Sequence, residues 1–491
     1  MKVEFTKAKD GTATFTVDNV FFHSTYSPAK EAERFVQGTS FPITPKLIFF
    51  IEPGFSYCVP FFKKQFQDCK LVCIRLFERS VHFDDESNWD KVFYFNETQN
   101  FGQTLINTFT EDLLLASAAL VWKPAENFFK QQIHSFFEQY KQALLDCKTI
   151  LVTRQFFEKK WLVNSCNFVL NAVRIIDSKT IRTELPVVVC ASGPSLEPCI
   201  PVIKKFRKSI FIICLSSATS VLINNEIIPD IVLSTDGGYW AGEHLKALKA
   251  HKNICVAASP ESFVPKTVLQ SNPVLALKYN DTSSFISSSI IDNAKIKCFE
   301  TVRNPTVSGT ALFFANSITT NNVYFCGLDM AGQKGFQHTQ PNELEKNNAL
   351  TETRLKTKNT RLTASRFNSD SLKIYEQWFK SLDKNTTQKT LRVIDQEFKQ
   401  NSLGNIADLD TKAFEQKLGL GKPGTAMSFS FDKRVIEKST LTDVRDFIYN
   451  SLKQEKWQKQ LFPADFISQN KSHLDEKLEK LQDKIRKLFD E

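Results

Sequence analysis

What this 491-residue sequence lacks narrows it first. No GxxxxGK[ST] loop is present, which excludes a P-loop that wraps a triphosphate. No apolar run reaches the roughly 18–20 residues of a membrane span; the nearest is interrupted by Ser216, Ser217, Asn224 and Asn225. Residues 1–20 are polar and alternating, without the basic start and apolar stretch of an export leader. The eleven cysteines form no CxxC pair and show no ligand spacing. Cys73, Cys190, Cys214, Cys255 and Cys326 sit in apolar runs, the pattern of reduced, buried thiols rather than of a zinc site or a disulfide frame. These features predict a cytoplasmic protein without a structural zinc site. The net charge of +9 comes from 63 basic and 54 acidic residues, too even a balance for a nucleic-acid partner. Phenylalanine is in excess, 44 residues against nine tyrosines and six tryptophans. Most lie in apolar runs such as Phe49-Phe50 and Phe128-Phe129, which marks core packing rather than base stacking.

What is present centres on Pro186–Leu196, PVVVCASGPSL: an apolar strand running into the turn Ala191-Ser192-Gly193-Pro194-Ser195. The turn is not the three-glycine dinucleotide fingerprint. A buried parallel strand ending in Gly and Ser offers backbone N–H groups and a hydroxyl at the sheet's carboxyl edge, where open α/β sheets bind ligands. Further apolar runs follow at Ser209–Ser216, Ile231–Gly238, Ile254–Ser259, Val274–Leu277 and Val323–Cys326, with a short helical pattern at Ala218–Glu226. Three of the strands end in small or acidic residues: Gly193/Ser195, Asp236/Gly237 and Gly327/Asp329. This alternation predicts an α/β fold with a parallel sheet over roughly 184–340, its carboxyl ends converging on one crevice for a nucleotide-type ligand.

These same residues carry a resemblance. GPSL after the first strand, PDIVLSTD around the third, and then PTVSGTALFFANSITTNNVYFCGLDMAG resemble, in order, the motility accessory factor (Maf) flagellin glycosyltransferases. Their wider group, the domain of unknown function 115, includes 6-hydroxymethylpterin pyrophosphokinase-like proteins. The motifs also look like those of bacterial sialyltransferases that use CMP-activated nonulosonic acids. The likeness covers 184–340 and extends weakly to Leu47–Tyr57 and Tyr375–Gly404. It implies a central Rossmann-like domain of sialyltransferase type, a smaller N-terminal α/β domain and a C-terminal helical region. It further implies a CMP-sugar donor, no cofactor, no metal requirement, and flagellin as acceptor. The departures are Ser308-Gly309 in the sialyltransferase order, Ala331 where those enzymes carry a tyrosine, and His338 only nine residues after Asp329.

On that reading the donor is held by Ser192, Gly193, Pro194 and Ser195, with Ser216, Ser217, Thr306, Ser308, Gly309 and Gly327 nearby. Asp236, beside Gly237, binds ribose hydroxyls or, more blandly, caps its own turn. Asp329 organises the pocket or orients His338, whose ordinary pKa near 6.5 suits a general base. Two other readings stay open: a pyrophosphokinase using Mg·ATP, with Asp236 and Asp329 as metal-holding carboxylates, and a non-catalytic flagellin- or glycan-binding adaptor.

Four segments are expected: a β-ribbon plus Rossmann-like domain at 1–125, a helical bridge at 126–183, the central domain at 184–410 and a helical region at 411–491. The first domain's turn, Glu52-Pro53-Gly54, lacks a cofactor loop's glycines, so the domain reads as a scaffold or partner-binding domain rather than a second active site. Leu474, Leu478, Leu481, Ile485 and Leu488 repeat at heptad spacing, for docking within the chain or onto a partner such as a flagellar chaperone. Asn342–Ser365 with Arg366 is polar and basic, either a solvated loop or a lid whose cations meet an anionic donor. If it is a lid, the double variant Arg354→Ala/Arg361→Ala raises KM for the donor while leaving the melting temperature in place, as steady-state kinetics beside calorimetry would register.

Overall fold

Runs of consecutive apolar residues become buried parallel strands here, because helices cover both faces and neither side of the strand meets water. Leu47–Ile51, Val187–Cys190, Phe211–Leu215, Ile231–Ser234, Cys255–Ala258 and Val323–Cys326 are each buried along their whole length. The computed structural model describes all residues except 84–87, 99, 332–337, 356, 358–369, 421–430, 464, 466–470 and 491. The chain forms two units, Met1–Arg154 and Gln155–Glu491. Among the described residues, no helix is long and apolar enough to cross a membrane.

In the first unit, an antiparallel ribbon (Val3–Lys7, Ala13–Val17, Val20–Phe21) accompanies a four-stranded parallel sheet. The sheet order is Lys91–Tyr94, Lys70–Arg75, Leu47–Ile51, Ser117–Val121. Phe15, Phe22, Phe49, Phe50, Phe62 and Phe136 fill its core, as the phenylalanine excess suggested. At the end of the Leu47–Ile51 strand, Glu52 is fully buried in the left-handed region (φ +43°). Its carboxylate accepts hydrogen bonds from Arg75 Nη1 (2.6 Å) and from the N–H groups of Leu76 (2.7 Å) and Phe77 (3.1 Å). The carboxyl edge of this sheet is thus occupied by its own ion pair.

The second unit holds an eleven-stranded sheet. Across it run Ala407–Leu409, Thr390–Val393, Val323–Cys326, Val187–Cys190, Phe211–Leu215, Ile231–Ser234, Cys255–Ala258, Val274–Tyr279, Arg174–Ile176 and Phe431–Lys433, with Cys298–Thr301 also paired to Val274–Tyr279. All pairs are parallel except the last in the path, Phe431–Lys433 on Arg174–Ile176. The chain order doubles back between Val187–Cys190 and Val323–Cys326, the topological switch point where such sheets bind ligands.

Two segment readings differ from the structure. The bridge expected at 126–183 is largely one helix, Lys130–Asn171, whose later residues Leu162, Cys166, Phe168 and Val169 belong to the core of the large sheet, which the strand Arg174–Ile176 then joins. Residues 411–491 likewise share that core through Phe414, Ile448, Trp457 and the heptad residues Leu474, Leu478, Leu481 and Ile485. The apolar stripe of the last helix, Lys471–Asp490, is therefore used inside the chain and is not presented to a partner.

His23 in the first unit is nearly fully buried, its Nε2 accepting a hydrogen bond from the Phe55 N–H at 2.9 Å. Burial, with the Arg75 charge nearby, lowers its pKa to about 3. The folded state keeps the ring neutral while the unfolded chain protonates it near 6.5, so this stability is intact above pH 6.5 and lost as pH falls from there toward 3. Between pH 6.5 and 5 the loss is about 2 kcal/mol at roughly 1.4 kcal/mol per unit. Urea unfolding of wild type and His23→Gln at pH 7 and pH 5 checks this: the variant's stability should change less between the two.

Candidate functional site

Val187–Cys190 and Val323–Cys326 lie side by side in register, Cys190 opposite Cys326. Beyond their ends the pairing continues through the turn. Ala191 N–H donates to Cys326 O (2.8 Å) and Gly193 N–H to Gly327 O (2.9 Å). Ser195 N–H donates to Asp329 Oδ2 (3.0 Å), and Ser195 Oγ hydrogen-bonds Asp329 Oδ1. This approach requires glycine. A Cβ on Gly193 would lie 2.5 Å from Gly327 O and 2.7 Å from Asp329 Cγ. Gly327 has φ +79° and no room for a Cβ against Ala191 O. Asp329 is buried, which raises its carboxyl pKa, while the two Ser195 hydrogen bonds oppose the shift.

The sequence reading offered the turn's backbone N–H groups to a ligand. The structure corrects this: the groups at 191, 193 and 195 are bonded within the protein, because a buried turn must satisfy its own donors. Asp329 in turn fixes the backbone geometry of Ser195, with Asn401 Nδ2 donating to its carbonyl oxygen at 3.2 Å. Asn401 is itself held by the fully buried Arg392, which also pairs with Asp408 at 2.7 Å.

The chain after the GLD turn returns across the same edge. Thr339 N–H donates to Ser192 O and Thr339 Oγ1 to Gly193 O, both at 2.7 Å. Asn342 Nδ2 donates to Ser217 O at 3.0 Å, and Ser217 Oγ to Ser192 Oγ at 2.8 Å. Glu343 meets His244 Nδ1 at 3.0 Å and accepts from Ser220 Oγ. Burial disfavours the Glu343 carboxylate, but the bonds from His244 and Ser220 outweigh it and hold the pKa below the ordinary value. His338 is a quarter exposed, with Nδ1 at 3.8 Å from Glu345 Oε1. Among the described residues no hydrogen bond links it to Asp329, so the expected orienting role of Asp329 toward His338 is not seen.

Asp236 is exposed at the end of Ile231–Ser234, two strands from Val187–Cys190, hence roughly 10 Å along the edge at about 4.8 Å per strand. Its Oδ1 accepts from Gly238 N–H (2.9 Å), the turn-capping alternative. Tyr375, on the helix Asp370–Lys380, has its phenol pKa raised by burial and then by the Asp236 charge. Trp378 of that helix packs on Gly309, where a Cβ would lie 2.8 Å from the ring. Thr306 caps the helix Val307–Ile318, its side chain accepting from Ser308 N–H at 3.2 Å. Gly237 faces Trp161, and Asn164 Nδ2 donates to Gly237 O (3.2 Å) and Glu261 O (2.7 Å). Gly193, Ser195, Ser192, Ser217 and Asp329 are thus brought into direct contact. Asp236 and the 306–309 turn stand along the same edge beside Tyr375 and Trp378.

Sequence reasoning missed Ser220, His244, Thr339, Asn342, Glu343, Tyr375 and Asn401. Asn342 and Glu343 meet partners about a hundred residues distant in the chain, so no spacing announces them. Of the expected lid, Lys356, Lys358, Arg361 and Arg366 lie outside the described residues, and Arg354 is exposed.

The fold and this edge define an open α/β protein with a polar site at the switch point of a parallel sheet. Residues 160–335 match the family model described as 6-hydroxymethylpterin diphosphokinase MptE-like. An uncharacterized protein of Treponema pallidum (strain Nichols) is 28% identical over 320 residues, 64% of this chain and 68% of that protein. Among solved structures, the Maf glycosyltransferase from Magnetospirillum magneticum AMB-1 matches 99% of this chain and 90% of its own, with a TM-score of 0.51 and 12% identity. The shared feature is the fold.

Gly327→Ala should cost about 2–4 kcal/mol, the sum of a left-handed backbone penalty and overpacking. Gly11→Ala, at φ +84° but with open space around it, should cost only the backbone part. Chemical denaturation of both variants separates the two contributions.

Proposed function

We propose that this protein is a glycosyltransferase that moves a nonulosonic acid from a CMP-activated donor to Ser or Thr hydroxyls of flagellin in the cytoplasm. The observation that carries the reading is a polar carboxyl edge at the switch point of a fold that matches a Maf glycosyltransferase along nearly its whole length. Fold alone does not bring activity, so the chemistry has to come from the edge itself.

Transfer needs the nucleotide held, the departing phosphate charge stabilised and the acceptor hydroxyl deprotonated. With the N–H groups of residues 191, 193 and 195 committed internally, the hydroxyls of Ser216 and Thr306 and the exposed Asp236 are the groups offered to ribose and phosphate. The N-terminus of the twelve-residue helix Val307–Ile318 supplies partial positive charge for the leaving CMP. Tyr375 takes the part of the tyrosine that the resembling enzymes carry where this chain has Ala331. His338, paired with Glu345, accepts the hydroxyl proton, and His244, paired with Glu343, is the competing base. Asp329 is a positioning residue.

The match at 160–335 favours a second reading, a pterin diphosphokinase using Mg·ATP. Its metal would need paired carboxylates. Asp329 has both oxygens bonded to Ser195, which leaves Asp236 without the partner that reading assigned to it.

Calorimetric titration with CMP, CDP and ATP, with and without magnesium, tests the proposal. Metal-independent preference for CMP supports it, preference for Mg·ATP moves the diphosphokinase ahead, and no nucleotide binding leaves the adaptor. With an active donor, Tyr375→Phe should lower kcat by ~10²–10³-fold with KM little changed, as for one lost oxyanion donor. Replacing the true base should cost ~10²–10⁴-fold, so His338→Ala and His244→Ala measured side by side identify it.

A further inference from the structure

The parallel sheet of the first unit ends in an uncovered edge. Ser117–Val121 pairs with Leu47–Ile51 on one side and, among the described residues, with no strand on the other. Lys46 N–H donates to Ala116 O (2.9 Å) and Trp122 N–H to Ile51 O (3.2 Å). In a parallel ladder alternate residues direct their backbone groups to opposite sides. The even positions 116–122 therefore serve the sheet, and Ser117, Ala119 and Val121 turn N–H and C=O outward. Among the described residues no backbone or side-chain hydrogen bond reaches the backbone of Ala119 or Val121 from that side. All five residues of the strand are partly exposed.

This edge forms the floor of a groove of about 1090 Å³. One wall is the end of the helix Pro28–Gln37, with Phe35 and Gly38–Ser40. The other is the start of the helix Lys130–Asn171, with Lys130, Ile133 and Phe137. The volume exceeds the ~300–1,000 Å³ of small-molecule clefts, and unpaired strand edges are otherwise hidden in folded proteins. The rim carries Lys123 and Lys130 against Glu126, all exposed, with His134 beside them.

We propose that this groove binds an extended acidic peptide segment of a partner protein as an added strand. The backbone of the peptide completes the ladder on Ala119 and Val121. Its side chains alternate between the two walls: the apolar ones, every second one, pack toward Phe35, and the carboxylates between them turn to the side of Phe137 and meet Lys123 and Lys130. An α-helical partner could not satisfy the outward N–H and C=O groups, and a basic one would face two lysines. The inference does not depend on the glycosyltransferase reading, since every group it uses lies in the first unit.

The test uses the full chain and a fluorescein-labelled heptapeptide of alternating valine and glutamate, followed by fluorescence anisotropy. Saturable binding is expected, with slowed hydrogen exchange at the Ala119 and Val121 amides. N-methylating alternate peptide amides, in the set that faces the strand, should weaken binding by at least about tenfold, as loss of two or three hydrogen bonds does. The surface variant Lys123→Glu/Lys130→Glu should weaken it by about tenfold, while Ala119→Pro, which deletes one outward donor, should do so through the backbone. Equal binding by methylated and unmethylated peptides overturns the proposal. So does no binding at millimolar peptide, or protection of the same amides by self-association without peptide, which would make a second copy the occupant.

Discussion

Everything at the candidate site depends on how closely two strand ends can approach. Gly193 and Gly327 have no side chains, so the turns after Val187–Cys190 and Val323–Cys326 extend the sheet's pairing past its formal end. Ser195 and Asp329 then close the gap with two hydrogen bonds in a buried setting, where an unpaired carboxylate would be costly. Asn401 and Arg392 hold the far side of Asp329. The switch point is consequently a rigid platform, and it leaves ligand chemistry to the groups around it.

Those groups are arranged by the chain that returns after the GLD turn. Thr339, Asn342 and Glu343 tie it successively to the ends of three neighbouring strands or the helices after them. The result separates two kinds of acidic residue that look alike in sequence. Asp329 is buried and fully bonded, a positioning group; Asp236 is exposed on the same edge, near the Tyr375 phenol. Roles assigned from strand-end position alone could not distinguish them, because distinction comes from desolvation and hydrogen bonding.

The first unit applies the same strand–helix alternation to a different end. Its carboxyl edge is filled by Glu52 and Arg75, a buried pair whose carboxylate also receives two backbone N–H groups. Such a pair fixes a turn more than it stabilises a fold. With that edge closed, the unit's open feature is lateral: the unpaired side of Ser117–Val121, which the apolar-run criterion had passed over because the strand is short and only partly buried.

Much of the architecture was legible beforehand. Apolar runs named most central strands to within a residue or two, Val323–Cys326 without error, because a strand covered on both faces must be apolar throughout; the run Ile231–Gly238 overran its strand, Ile231–Ser234. GPSL, STDGG and GLD fall at the carboxyl ends of strands of one sheet for the same local reason: strands stop where small and acidic residues take over. The half-exposed strands Ser117–Val121 and Cys298–Thr301, and the three-residue Arg174–Ile176, carried no such signal. The sequence by itself determined that a parallel sheet with a polar carboxyl edge would form, since hydrophobic patterning and turn chemistry act over a few residues. Only the tertiary structure decided which polar atoms face a ligand and which are consumed within the protein. That outcome turns on pairings such as Ser195 with Asp329 and His244 with Glu343, made across 134 and 99 residues by the folding of the chain back onto one edge.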